Sequence, residues 1–235
     1  MRSLYISDLH LSDDRPAANE RFFAFMEGEA AEADALYVLG DLFEYWVGDD
    51  DLDEPFNAVV AGFFRRFTAA GRRLCLLHGN RDFLVGERFA RDTGAELLAD
   101  PALIGDTLLM HGDTLCTDDH DYQSWRRTAR SPAWQREFLA KPLAERRRVV
   151  RGLRDRSREV IQAKPAEIMD VNPDAVREAL RRHGATRLIH GHTHRPGRHG
   201  LEVDGRRCER WVLPDWYGPG GYLEVRDGKA TLVRW

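Results

Sequence analysis

Short apolar runs, each followed closely by Asp, Asn or His, recur along the chain. Leu4-Tyr5-Ile6 leads into Asp8, Ala35-Leu36-Tyr37-Val38-Leu39 into Asp41, and Leu74-Cys75-Leu76-Leu77 into Asn80. Thr107-Leu108-Leu109-Met110 leads into His111, and Leu188-Ile189 into His190 and His192. Such runs read as strands of a sheet covered on both faces. Between the first three lie helical periods. Phe22, Phe23, Phe25 and Met26 mark one helix; Phe56, Val59, Val60, Phe63, Phe64 and Phe67 form the 3.6-residue stripe of another, a face expected to pack on the sheet. Helix, strand and polar strand end repeat as in βαβ units. The polar residues then fall at the carboxyl ends of strands, where open α/β sheets bind their ligands.

From residue 122 to 164 the pattern turns continuously helical and Arg-rich, with Trp125, Trp134, Phe138, Leu139, Leu143, Val149, Val150, Leu153, Val160 and Ile161 as its apolar members. Pro132 and Pro142 each suit the start of a helix. This predicts a helical insertion, residues 122–167, in a core made of residues 1–121 and 168–235. Asn172-Pro173 opens a further helix through Arg182, and residues 187–190 form the next strand. The chain then becomes β-rich at 200–203, 208–213, 222–225 and 230–233, with Asp204-Gly205 and Asp227-Gly228 as two-residue hairpin turns.

At 235 residues and 43% hydrophobic, the chain can bury one core of good size. No apolar run reaches the roughly 18–20 residues that cross a bilayer, and the strand at the start leaves no export signal visible. Cys75, Cys116 and Cys208 are an odd, widely spaced set without C-x-x-C spacing. They are expected to be reduced thiols of a cytoplasmic protein rather than a zinc-thiolate site. The net charge of −4 hides an asymmetry: residues 126–164 carry 13 Lys or Arg against 4 Asp or Glu, and the remainder 22 against 35. That block is too one-sided for i,i+4 ion pairs to absorb. The reading it favours is a surface for phosphates or anionic lipid.

Asp8, His10, Asp41, Asn80, His111, His192 and His194 are seven hard-to-borderline ligand candidates without a cysteine, a set suited to manganese, iron or zinc. Seven exceed the needs of one ion and fit two ions sharing a carboxylate, for which Asp41 is the natural bridge. Asp8 and His10, and likewise His192 and His194, alternate on what is expected to be extended chain, so that each pair points to one side.

In this order, Asp8-x-His10, Gly40-Asp41, Gly79-Asn80, His111-Gly112 and Gly191-His192-x-His194 resemble the calcineurin-like metallophosphoesterases. The resemblance implies an α/β fold, an αββα sandwich with two sheets between helical layers. It also implies two metal ions at the sheet ends. Asp8, His10, Asp41 and His194 would hold one ion and Asp41, Asn80, His111 and His192 the other, with Asp41, Asn80, Arg81 and His111 counted as catalytic.

Many members of that family read Gly-Asn-His in the third motif, whose His protonates an alkoxide leaving group; here Arg81 stands in its place. A guanidinium stays protonated and cannot be a general acid near neutral pH. It suits a leaving group that needs no proton, such as a phosphate, and it can clamp phosphate oxygens. The alternative for Arg81 is an ion pair with Asp82 or another carboxylate.

The stretches 43–50, 111–122, 157–164 and 168–172 narrow the resemblance to the pyrophosphohydrolases of Gram-negative lipid A synthesis that act on UDP-2,3-diacylglucosamine. The likeness implies that water activated by two metal ions, with manganese expected, attacks the α-phosphorus to give UMP and 2,3-diacylglucosamine 1-phosphate. It gives substrate contacts to Asn80, Arg81, Asp119, Tyr122, Ser157, Lys164 and His192. Ile161 departs from the family's insertion motif, where a polar residue is usual. The insertion would then line a slot for acyl chains and hold the protein peripherally on the cytoplasmic face of the inner membrane, with no nucleic acid and no obligate protein partner. The competing readings are a phosphoesterase of nucleotides or nucleic acid, and a non-catalytic scaffold of the same fold.

Overall fold

The computed structural model describes residues 1–163 and 168–235. Lys164, and the side chains of Ser157, Val160 and Ile161, lie outside what is described. In chain order the elements are β1 (Arg2–Ile6), α1 (Pro16–Glu27), β2 (Ala35–Leu39), α2 (Pro55–Ala69), β3 (Arg73–Leu77), α3 (Glu87–Thr93), β4 (Glu96–Leu97), β5 (Ala102–Ile104), β6 (Thr107–Leu109), α4 (His120–Ala129), α5 (Pro132–Leu139), α6 (Leu143–Ala163), α7 (Pro173–His183), β7 (Arg187–His190), β8 (Gly197–Val203), β9 (Arg206–Val212), β10 (Gly221–Arg226) and β11 (Lys229–Arg234).

The strands form two sheets, in the orders β11-β10-β1-β2-β3-β4 and β5-β6-β7-β9-β8. Within the first, β1, β2, β3 and β4 run parallel and the β10–β11 hairpin pairs antiparallel to β1. In the second, β6, β7 and β9 run parallel, with β5 and β8 antiparallel at the edges.

Because side chains alternate along a strand, each apolar run feeds two layers at once. Leu4, Ile6, Leu36, Val38, Leu74 and Leu76 face the helical side, where Phe22, Phe25, Phe64, Phe67 and Phe89 fill the largest cluster. Tyr5, Tyr37, Leu39, Cys75 and Leu77 face the other sheet and meet its Leu109, Ile189, Trp211 and Leu213. The second sheet's opposite side, Leu108, Met110 and Leu188, packs on Val176 and Leu180 of α7. The result is the expected αββα sandwich. On α2, Val60, Phe64 and Phe67 are buried as the stripe predicts, whereas Val59 is exposed.

Helix starts follow local chemistry. Pro occupies the first turn of α1, α2, α5 and α7, while Glu54, Ser131 and Asn172 accept backbone N–H bonds as caps. Both Asp-Gly turns hold positive φ at each residue, 51° and 77° at Asp204-Gly205 and 50° and 82° at Asp227-Gly228. These are the primed turns that match strand twist. Three elements escape the periodicity reading. α3 and the two-residue β4 are too short to show a pattern, and β5 lies at an edge with Leu103 exposed.

The helical stretch is three helices, broken at Pro132 and Pro142. Phe138 belongs to the main core, with Trp134, Leu143, Val149 and Val150 packed beside it. The expectation that the insertion's Arg residues face outward needs correction. Arg146 is 3% exposed and bonds to the carboxylate of Asp50 and to the carbonyl of Val47. Arg147 pairs with Asp51, Arg126 with Asp113 at 2.6 Å, and Arg130 donates to Gly79 O at 2.8 Å. The basic block is thus partly absorbed by acids of the core, a long-range pairing that charge spacing along one helix cannot reveal. Arg127, Arg136, Arg148 and Arg151 remain exposed.

Candidate metal centre

The five polar clusters converge at the carboxyl ends of β1, β2, β3, β6 and β7. They do so on tightly bent backbone, not on the extended chain expected for the two X-x-His pairs. Asp8, His10, Asp41, His192 and His194 all have positive φ, between 50° and 67°. Left-handed residues in succession at non-Gly positions mark strain held by surrounding contacts. Here the contacts are backbone to backbone: Asp8 N–H donates to Gly40 O at 3.1 Å, His10 N–H to Asp41 O at 3.0 Å, and Gly191 N–H to His111 O at 2.9 Å.

Asp82 ties two strand ends together. Its carboxylate accepts from the backbone N–H groups of Asp41 (3.2 Å), Leu42 (2.7 Å) and Gly79 (2.8 Å) and is 3% exposed. Its oxygens face backbone N–H groups, and no ion pair joins Arg81 to Asp82 among the described residues. Arg81 contributes its own backbone N–H to Asp41 Oδ1 at 2.8 Å. The clusters sit so close that a side chain on Gly79 or Gly191 has no room. A methyl on Gly191 would overlap Ser7 Oγ and Asp8 Oδ2. We therefore expect Gly191→Ala to displace Asp8, lowering bound metal in elemental analysis and stability by about 1–3 kcal/mol in thermal unfolding. A variant with full metal content and wild-type stability would contradict this.

Asp8 Oδ2 accepts from the Ser7 hydroxyl (2.6 Å) and from His192 N–H (2.8 Å), while Oδ1 lies 3.4 Å from His194 Nε2. Asp41 reaches both ways, with Oδ2 3.7 Å from His10 Nε2 and Oδ1 3.8 Å from His111 Nε2. His111 donates from Nδ1 to Leu39 O at 2.9 Å, so in the neutral ring Nε2 carries the lone pair. That nitrogen lies 3.0 Å from Asn80 Oδ1, and His192 Nδ1 approaches the same oxygen at 2.9 Å.

Burial alone would lower His111, yet Asp41, Asp8 and Asp113 overcome it and raise the ring to about 9. Burial and the nearby His111 instead lower His192 to about 4. Burial pushes Asp41 up. Asp8 is held well below the usual carboxylate range; burial opposes this, but the nearby His194, with His111 and His10, prevails.

Asp8 Oδ1 and both ring nitrogens of His10 are buried without a hydrogen bond among the described residues. Unpartnered buried polar atoms are rare in a folded protein. Asp8, His10 and His194 can offer ligand atoms within 4.8 Å of one another, and so can Asp8, Asp41 and His111. Convergent lone pairs from two carboxylates, an amide and imidazoles fit divalent cations, which would supply partners to Asp8 Oδ1 and His10 Nε2. All seven candidates gather here. Asp8 is common to both groups, and the expected bridge Asp41 belongs to the second.

The other expected contacts are more dispersed. Tyr122 stands 5.8 Å from the His192 ring, with its hydroxyl donating to Asp113 Oδ2 at 2.7 Å. Asp119 caps α4 through Tyr122 N–H. The sequence reading missed Asp113, which is fully buried between Tyr122 and Arg126, and also Asp82, Glu44 and Tyr217. Asp82 and Asp113 sit two residues beyond Asn80 and His111, and their burial is the only sign that separates them from turn residues.

A family model described as "Calcineurin-like phosphoesterase" matches residues 1–196. Over 237 residues the chain is 53% identical to a protein of Aromatoleum aromaticum named UDP-2,3-diacylglucosamine hydrolase, covering 99% of this chain and 96% of that one. It is 46% identical to the protein of that name from Klebsiella pneumoniae subsp. pneumoniae, covering 99% and 98%. With that of Pseudomonas paraeruginosa it shares 48% identity, covering 96% and 95%.

Proposed function

We propose that this chain, which belongs to the calcineurin-like phosphoesterase family, hydrolyses the pyrophosphate bond of UDP-2,3-diacylglucosamine in lipid A synthesis, with water attacking the α-phosphorus to release UMP and 2,3-diacylglucosamine 1-phosphate. The observation that carries this reading is the 53% identity to a protein of that named activity, which runs through the insertion as well as the core. The test is direct: purified protein with Mn2+ should release UMP from UDP-2,3-diacylglucosamine. Absence of UMP together with rapid hydrolysis of a simple phosphodiester would sink the assignment.

The enzyme works with divalent metal ions, and we take manganese as the ion. We assign Asp8, His10, Asp41 and His194 to one ion and Asp41, Asn80, His111 and His192 to the other. Bound there, two such ions supply Lewis-acid neutralisation of phosphoryl charge and a more acidic water. The chain's own residues do the rest. Arg81 directs a permanent positive charge at the phosphates and cannot protonate the leaving group, and none is needed because the departing sugar 1-phosphate is already a stable anion. Asp82 and the backbone of Arg81 hold Asp41 in place. We further assign substrate contacts to Asn80, Asp119, Tyr122, Ser157, Lys164 and His192.

We take residues 122–167 as an insertion that binds the acyl chains. Phe83, two residues past Arg81, lies 6.1 Å from the Trp134 ring; Trp134 stacks on Phe138 at 4.9 Å and meets Trp125 at 5.9 Å. This aromatic line leads from the Arg81 loop to a surface where Trp125 and Leu139 are each 42% exposed. Each methylene buried against it contributes roughly 0.8 kcal/mol. No described helix is long and apolar enough to cross a membrane. Exposed Arg127, Arg136, Arg148 and Arg151 beside that apolar edge support peripheral attachment to an anionic bilayer. The protein should sediment with anionic vesicles and be released by salt. Equal binding to neutral vesicles at all salt concentrations would remove the electrostatic part of this reading.

A further inference from the structure

Strands β1 and β2 do not part where their sheet ends. Beyond His10, Leu11 N–H donates to Leu42 O at 2.9 Å and Glu44 N–H to Leu11 O at 3.0 Å, and a last parallel bridge joins Leu11 to Phe43. This continued ladder carries Glu44 alongside His10. Both residues are 2% exposed, and Glu44 Oε2 lies 3.4 Å from His10 Nδ1. The same oxygen accepts from the Tyr217 hydroxyl at 3.2 Å.

Tyr217 is itself held from two sides. Its ring lies 4.8 Å from His10 and 5.6 Å from His194, and the Arg15 guanidinium sits 4.1 Å from its centroid. Arg15 also donates to His10 O at 2.8 Å and Trp216 O at 3.4 Å, tying the 213–217 loop to the backbone of the metal site.

A carboxylate this deeply buried persists where donors face it. The Tyr217 phenol donates to it, and the His10 ring faces it at 3.4 Å. An imidazole that gives its Nδ1 proton to a carboxylate keeps its lone pair on Nε2. In His10, Nε2 is the nitrogen that faces Asp41, at 3.7 Å.

We propose that Glu44 is a positioning residue of the metal centre: it accepts the Nδ1 proton of His10, sets the tautomer and ring plane that present Nε2 to an ion, and is itself oriented by Tyr217. The inference rests on the two-ion reading above. Carboxylates behind histidine ligands typically contribute about 10–100-fold to metal affinity.

The test titrates the chelator-stripped full chain with Mn2+ alone, read by calorimetry and by the electron paramagnetic resonance of coupled ions. The wild type is expected to bind two ions. Glu44→Gln, which keeps size and an acceptor for Tyr217 but removes the charge, should bind one ion as before and the other about 10–100-fold more weakly, with loss of the coupled signal. Tyr217→Phe should weaken the same ion by a smaller factor. If Glu44 serves only in packing, the Gln variant binds both ions as the wild type does, and the proposal is overturned. Should Glu44→Gln fail to fold, Tyr217→Phe decides, because its ring is 50% exposed and keeps its packing; an unchanged titration overturns the proposal. A wild type that takes up no Mn2+ overturns the two-ion reading, and the Glu44 proposal with it.

Discussion

Asp41→Ala is expected to lower the rate of UMP release by about 10³–10⁴-fold, or roughly 4–5.5 kcal/mol of barrier, with both ions lost in elemental analysis. The reason is geometric. Asp41 stands between His10 and His111, within 3.8 Å of both rings, so its carboxylate faces both proposed sites. Its Oδ1 also accepts the Arg81 backbone N–H at 2.8 Å, so removing the carboxylate loosens the loop that carries Asn80 and Arg81. Asp41→Asn separates these effects: it keeps an acceptor for that N–H and loses the charge. If the Asn variant retains two ions and most of the rate, Asp41 matters to the loop and not to the metals.

Arg81→Ala is expected to cost about 10²–10³-fold in turnover, the range for removing one preorganised donor from a charged transition state, while leaving metal content near wild type. The structure supplies the reason for that separation. Arg81 holds Asp41 through its backbone N–H, which alanine retains, and Asp82 fixes the neighbouring loop without the guanidinium. Lysine should restore only part of the rate, since it keeps charge and loses the bidentate fork. Loss of both ions in Arg81→Ala would show that the guanidinium supports the metal shell instead.

Much of the architecture can be read along the chain because strands and helices write their burial into local periodicity. β2 and β7 occupy the residues read for them, and both Asp-Gly turns are where two residues must take positive φ. The seven ligand candidates were legible for a similar reason: each follows an apolar run, and a strand end has one direction in which to point. The extended geometry expected of Asp8-x-His10 and His192-x-His194 failed because φ at these residues is set by bonds to Gly40, Asp41 and Asp8 from distant segments. The outward Arg surface failed in part for the same reason, since Asp50 and Asp51 lie 96 residues from Arg146 and Arg147.

By itself the sequence determined most of the strands, the order of the candidate ligand clusters, the Arg in the third motif and the basic helical stretch, because each is a property of neighbouring residues. Only the tertiary structure decided that alternate faces of one strand serve different layers, that Asp82 clasps two strand ends, and that Glu44 and Tyr217 stand behind His10. Those relations are contacts between segments up to 207 residues apart, as Tyr217 is from His10. A local pattern records whether a side chain is buried; its partner is set by how the two sheets close on each other.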